Sequence, residues 1–366
     1  MACKKYAFIL FQKHTFKRLI LTILAYLPPM RIINFLIISV CLATQFSCSQ
    51  NAKEENAKNT FETIGSIEII DDRLKEVINT NAKIEILATG FSWSEGPVWL
   101  PKENKLLFSD VPKNTVYSWS ETDSIVIYLK PSGYTGSESW REGSNGLILN
   151  KKNQLVLCQH GNRQLAIMNS TLENPKVDFI PLTGNYEGKQ FNSPNDVVQH
   201  SNGTYFFTDP PYGLTENDTK ELDFQGVYKL ENNEVTLLID SLTRPNGVAL
   251  SPDQKTLYIA QSDPKAARYY AYSLDANNNI ADGKILLDVT TLLNDKENKG
   301  LPDGLKVDDR GNIFATGPGG VLILNAQGQH LGTIRTERST ANCAFNENKS
   351  VLYMTAHEHL MRIVLK

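Results

Sequence analysis

Residues 244–261 read Arg244-Pro245-Asn246-Gly247-Val248-Ala249-Leu250-Ser251-Pro252-Asp253-Gln254-Lys255-Thr256-Leu257-Tyr258-Ile259-Ala260-Gln261. A polar head, Asn246, leads into the apolar run Val248-Ala249-Leu250. A Ser-Pro-Asp-Gln turn follows, and a second apolar run, Leu257-Tyr258-Ile259, completes the unit. Short apolar runs of this kind, bounded by Pro, Asp and Gly, predict two paired strands. The unit occurs six times. Its heads are Glu95, Asn145, Asn195, Asn246, Asp303 and Asn342, and the other second runs are Leu106-Leu107-Phe108, Leu155-Val156-Leu157, Tyr205-Phe206-Phe207, Ile313-Phe314-Ala315 and Val351-Leu352-Tyr353. The heads follow one another at steps of 50, 50, 51, 57 and 39 residues. Strand-paired repeats of this length predict an all-β fold, a six-bladed β-propeller, over residues 64–366. Such a fold sets equivalent positions around one axis. Six oxygen-bearing side chains then converge, and a metal site is the leading expectation.

Two blander explanations of the heads stay open. Asn or Asp before Gly can be a turn residue at a strand entry, which would account for two or three of the six, though Glu95 before Gly-Pro fits turn chemistry poorly. Alternatively, a ring of hydrogen-bonded amides closes the central channel without any ion. The polar loop from Gly133 to Gly143 ends two residues before Asn145 and either overhangs the pocket mouth or simply connects two blades.

The chain has 366 residues, with 37 Lys+Arg against 40 Asp+Glu. That balance offers no basic face and no reason to invoke nucleic acid. The first fifty residues differ from the rest. Met30-Arg31 opens an apolar run from Ile32 to Ala43, leading to Phe46-Ser47-Cys48. A basic start, an apolar core and a small residue before Cys predict a bacterial export signal over residues 1–48, of lipoprotein type, with the true start at Met30. Cys48 is then the candidate lipid anchor, the sole link to a membrane, and the protein is periplasmic or membrane-anchored. Residues 49–63 read as a flexible tether. Of the remaining cysteines, Cys158 and Cys343 fall beside or within apolar strands. They are expected to be buried, with one disulfide between them as the alternative.

Several stretches resemble the senescence marker protein/gluconolactonase/luciferin-regenerating enzyme family, bacterial gluconolactonases in particular. They are Ser94-Glu95-Gly96-Pro97-Val98-Trp99, Ser193-Pro194-Asn195-Asp196, Phe207-Thr208-Asp209-Pro210-Pro211-Tyr212-Gly213, Arg244-Pro245-Asn246-Gly247-Val248-Ala249-Leu250-Ser251 and Leu301-Pro302-Asp303-Gly304. The resemblance implies a six-bladed propeller with one divalent metal, usually calcium, held by Glu95, Asn195, Asn246 and Asp303. Two carboxylates and two amides match the oxygen ligands that hard cations take and balance the charge of a divalent ion; His and Cys, which softer metals call for, are absent from the heads. The segment Gln159-His160-Gly161-Asn162-Arg163 further implies His160 and Arg163 as substrate contacts, together with Asn145.

The implied activity is calcium-dependent hydrolysis of a small sugar lactone to an aldonic acid. Asp303 is the candidate general base, or a ligand only, with the base elsewhere. Asp209, between Thr208 and Pro210, is expected to be structural. His357 and His359 show no ligand spacing, although His357 could reach the channel. A phosphotriesterase of the diisopropylfluorophosphatase type, or a non-catalytic ligand-binding propeller, would use the same fold.

Overall fold

The second run of each unit is apolar without strict alternation, as expected of a strand buried on both faces. A computed structural model of the chain describes residues 61–138 and 140–366. In blade 1, Leu106 and Phe108 pack toward blade 6 while Leu107 packs toward blade 2. In blade 3, Phe206 faces blade 4, and Tyr205 and Phe207 face blade 2. Period-two geometry thus sends successive side chains of one strand into two different interfaces. The result is six apolar clusters, one between each pair of neighbouring blades. Phe206 and Phe207 are both fully buried, and burying each such ring contributes about 1.5–3 kcal/mol.

The six sheets follow the repeat. Blade 1 comprises Ser94–Leu100, Lys105–Asp110, Thr115–Ser120 and Ser124–Leu129. Blade 2 comprises Ser144–Leu149, Leu155–Gln159, Gln164–Met168 and Phe179–Thr183. Blade 3 comprises Val197–Gln199, Tyr205–Asp209, Gly226–Glu231 and Glu234–Ile239. Blade 4 comprises Pro245–Leu250, Thr256–Asp263, Ala266–Leu274 and Ile280–Asp288. Blade 5 comprises Leu305–Val307, Ile313–Gly317, Gly320–Leu324 and His330–Arg335. Blade 6 has Asn342–Phe345, Val351–Ala356 and His359–Val364 from the chain's end. All neighbours within a blade are antiparallel and in sequence order.

Blade 6 takes its outer strand from the start of the folded region. Ile84–Thr89 pairs with His359–Val364, matching Ile84 with Ile363 and Ala88 with Leu360. This closes the ring by hydrogen bonds between distant parts of the chain. Just upstream, Thr63–Ile64 pairs with Ile84–Glu85, and Ser66–Ile69 adds a fifth strand to blade 5 by pairing Gly332–Arg335. The segment covers two outer edges that would otherwise be open to pairing with other chains. A one-turn helix, Leu74–Val77, buries Leu74 and Val77 against the cluster between blades 5 and 6.

Cys158 and Cys343 are buried and, among the described residues, unbridged. They sit in different interfaces, between blades 2 and 3 and between blades 5 and 6. The export signal, Met30, Cys48 and residues 49–60 of the tether lie outside the described residues.

Candidate functional site

In an antiparallel blade, the first strand starts where the second strand ends. All six heads therefore gather at one end of the propeller, and the Lys151-Lys152-Asn153 and Ser251-Pro252-Asp253-Gln254 turns lie at the other. The heads are not turn residues. Glu95, Asn145 and Asn246 each stand in a β-bulge that opens the first strand, a device that redirects a side chain away from the ordinary pleat, whereas Asn342 pairs with Thr355 in regular register. Ser94 and Glu95 pair with Asp110 and Ser109, and the register then slips before Val98 pairs with Leu107. The same slip separates Ser144 from Leu147 and Pro245 from Val248. Blades 3 and 5 share a tighter version. Asn195 N–H donates to Thr208 O at 2.8 Å, and Thr208 N–H donates to Asp196 O at 3.1 Å; Asp303 and Gly304 repeat the pattern with Thr316 at 3.0 and 2.9 Å.

Glycine follows four heads because the next blade's head passes close by. A Cβ on Gly96 would stand 2.0 Å from Asn145 O, and one on Gly247 would stand 2.2 Å from Asp303 O. The heads are also tied together by hydroxyls near the ends of second strands. Ser109 Oγ donates to Asn145 O at 2.9 Å, Thr208 Oγ1 to Asn246 O at 2.6 Å, and Thr316 Oγ1 to Ala341 O at 2.8 Å. Ser262 Oγ bonds Pro302 O in the same manner. Each hydroxyl reaches from one blade to the next, so the heads are fixed relative to one another rather than strand by strand.

A cavity of about 490 Å³ opens at this end, and Glu95, Asn145, His160, Asn195, Asn246 and Asp303 all line it. Glu95, Asn195 and Asn246 are 3–4 % exposed. Glu95 Oε2 accepts the Gly96 N–H at 3.0 Å, and the Asn246 amide nitrogen donates to Ser262 Oγ at 2.9 Å. Asp303 is partly open, yet its Oδ1 is buried with no hydrogen-bond partner among the described residues. The sixth head, Asn342, is absent from the lining; its Oδ1 accepts from Lys306 Nζ at 3.1 Å and from Cys343 N at 2.9 Å.

Electrostatics set the two acids apart from ordinary surface carboxylates. Burial pushes Glu95 up to about 7, the Gly96 N–H pulls it back, and the nearby Asp196 charge pushes it further up. Burial raises Asp303 as well, and the charges of Glu95 and Asp196 add to it. Two buried carboxylates that oppose each other's ionisation are costly unless a proton or cation sits with them. Among the described residues no cluster of three or more His, Cys, Asp or Glu is arranged to hold a metal. The donor set here is of a different kind, two acids and two amides on one cavity. It offers the oxygen atoms a hard cation requires, and the orphaned Asp303 oxygen is consistent with such a ligand.

The residues implied as substrate contacts separate. Asn145 and His160 line the cavity, but Arg163 does not. Its Nε donates to Phe191 O at 2.6 Å and Asn192 O at 3.1 Å, and Nη1 donates to Thr219 O at 3.2 Å. Asp209 grips the same segment from its other side, accepting the Asn192 and Ser193 N–H groups at 2.8 and 2.7 Å. Arg163 and Asp209 together steer the chain into Asn195. Blade 1 repeats the device with Asp110, which accepts the Ser92 and Trp93 N–H groups ahead of Glu95. The parallel runs Phe108-Ser109-Asp110 and Phe207-Thr208-Asp209 are the sequence signal for this bracing. His357 is exposed against Trp93 and is absent from the cavity lining.

Other lining residues carry no repeat signature. Trp93, Tyr212 and Leu301 give the cavity apolar walls, and Tyr212 remains 40 % exposed at its rim. Glu142 comes from the 133–143 connection, so that loop does reach the mouth.

Known proteins resemble this chain in sequence and in fold. A gluconolactonase from Zymomonas mobilis is 37% identical over 322 residues, covering 85% of this chain and 89% of that protein. A pentonolactonase from Haloferax volcanii is 24% identical over 275 residues, covering 74% of this chain and 83% of its own length. The solved structure of a gluconolactonase from Xanthomonas campestris superposes with a TM-score of 0.72 at 27% identity, covering 83% of this chain and 98% of that one. The family model described as SMP-30/Gluconolactonase/LRE-like region matches residues 93–358, from the approach to Glu95 to the last blade. With the repeat, the ring of heads and this match in agreement, the chain belongs to the SMP-30/gluconolactonase/LRE-like family.

Proposed function

We propose that the protein is a calcium-dependent lactonase that opens sugar lactones to aldonic acids. The observation that carries this is the pairing of Glu95 and Asp303 with Asn195 and Asn246 on one cavity, in a chain 37% identical to a gluconolactonase. Glu95, Asn195, Asn246 and Asp303 would hold the ion. When bound, a hard divalent cation supplies positive charge that polarises an ester carbonyl and stabilises the oxyanion developing on it.

The chain's own residues do the rest. Asp303 Oδ1, buried and without a partner among the described residues, is the proton acceptor for the attacking water. Asn145 and His160 contact the hydroxyl-bearing face of the substrate. Trp93, Tyr212 and Leu301 cover its ring and limit bulk water. The bulges and the belt of hydroxyls hold these groups in place beforehand, so that little reorganisation accompanies reaction.

The test is hydrolysis of glucono-1,5-lactone by purified protein with calcium and with chelator, corrected for spontaneous opening and run beside an organophosphate. Faster calcium-dependent opening of the lactone supports the proposal. Turnover of the organophosphate alone would replace it with phosphotriester hydrolysis, and turnover of neither would leave a binding propeller. We also propose export, which the stretch between Met30 and Cys48 supports: a lipid-modified Cys48 is expected in membrane fractions, and an unmodified chain in mass spectra would remove that part.

A further inference from the structure

Glu142, which the proposed chemistry does not use, pairs with His160. His160 Nδ1 stands 2.9 Å from Glu142 Oε2. The His160 side chain is 1 % exposed, whereas that of Glu142 is 31 % exposed. The other ring nitrogen, Nε2, is buried and has no hydrogen-bond partner among the described residues, although the ring lines the central cavity. Backbone contacts fix the ring's base: His160 N–H donates to Gly143 O at 3.1 Å, and His160 O accepts the Arg163 N–H at 3.0 Å. Packing fixes the rest. A Cβ on Gly213 would lie 2.7 Å from His160 Cβ, and one on Gly161 would lie 2.5 Å from Glu142 O.

A carboxylate only accepts, so a bond between it and Nδ1 requires the proton on Nδ1. In an imidazole carrying one proton, Nε2 is then left as a lone pair on the ring that lines the cavity. A buried acceptor beside a substrate cavity is satisfied by a donor that arrives with the substrate, and a hydroxyl group is such a donor.

We infer that Glu142 is a positioning residue that locks His160 with Nε2 as acceptor for a substrate hydroxyl, making the site selective for polyhydroxylated over hydroxyl-free lactones. The inference rests on the lactonase proposal and adds to it the atom that reads the sugar. A site built to pair a hydroxyl discriminates against an analogue lacking it, because the acceptor is then left unpaired in a dry place.

The experiment compares kcat/KM for glucono-1,5-lactone and for δ-valerolactone in wild type, Glu142→Leu, Glu142→Gln and His160→Leu. Imidazole nitrogen NMR reads the tautomer in wild type and in the two Glu142 variants. Expected are a preference for the sugar lactone that falls about tenfold in Glu142→Leu and His160→Leu, recovery in Glu142→Gln, whose amide oxygen still accepts from Nδ1, and a proton on Nδ1 in wild type that moves in Glu142→Leu. Three outcomes overturn it: a proton on Nε2 in wild type, an unchanged ratio in both leucine variants, or equal loss on both lactones. Wild type that opens neither lactone sinks the lactonase proposal and this inference with it. Activity with an unaltered ratio sinks this inference alone. Because Glu142 is a partly exposed loop residue, its variants separate tautomer control from a failure to fold.

Discussion

The two ends of the propeller are made by the same strands and differ in what they ask of a residue. At one end, turns such as Lys151-Lys152-Asn153 and Ser251-Pro252-Asp253-Gln254 are built mostly from local bonds, with single glutamine side chains, Gln199 and Gln254, linking one turn to the next blade's. Asn153 takes φ 57° and Gln254 takes φ 58°, and Asp253 Oδ1 accepts from Ser251 Oγ at 2.6 Å within its own turn. At the other end almost nothing is local. Glu95 shares a cavity with Asp303, and the head carbonyls are bonded by hydroxyls from preceding blades. Repetition places both ends, but only the second concentrates acids out of water, and that concentration makes chemistry available there.

Breaking the acidic end should have the largest effect. Asp303→Asn is expected to lower lactone turnover by about 10³-fold. Without calcium its melting temperature should hold or rise, since one of two mutually repelling buried carboxylates is gone. A variant that turns over at the wild-type rate would return the proton-acceptor role to another group. Next comes the ion itself. Calcium at a hundredfold excess over its Kd should stabilise the fold by about 2.7 kcal/mol, about 4 °C in Tm. Glu95→Gln should shrink that shift, and a melting curve indifferent to calcium and chelator would remove the ion from the account.

The bracing behind the site gives a smaller, pH-dependent effect. Burial pushes Asp209 up to about 7, against the pull of the Asn192 and Ser193 amides and of the Arg163 charge. The folded state therefore holds a proton on this group through a range where the unfolded chain has lost it. The stability it contributes is complete below about pH 4, near the unfolded carboxyl value, and is lost as pH rises through about 7. Asp209→Asn should flatten the fall in denaturation free energy across that window, and an unaltered slope would show that Asp209 is ionised throughout. Smallest is the turn end. Asn153→Ala places a Cβ-bearing residue without a polar side chain at positive φ and should cost about 1 kcal/mol, with turnover unchanged. Any loss of activity would mean the two ends are coupled.

Much of the site was legible because repetition is visible in one dimension. Glu95, Asn145, Asn195, Asn246 and Asp303 occupy matching places in matching units, and matching places converge in a closed ring. Arg163 was misleading for a reason of the same kind. It is three residues from His160, and proximity in sequence suggests one destination. Its own backbone turns at φ 56°, and the guanidinium goes instead to the carbonyls of Phe191, Asn192 and Thr219. Glu142 and Tyr212 were hidden because loops carry them. No periodicity marks a loop residue, and its direction depends on what it packs against.

The amino-acid sequence by itself determined the blade count, the strand pairs and the ring of heads, because backbone hydrogen bonding and apolar burial act over short, repeated stretches. Tertiary structure alone decided that Ile84–Thr89 closes the last blade and that bulges aim the heads into a cavity. It also decided that Glu142 meets His160 Nδ1 at 2.9 Å. Those features depend on groups far apart in the chain meeting in a low-dielectric space, where the strength and sign of their interactions follow from distance and burial rather than from order.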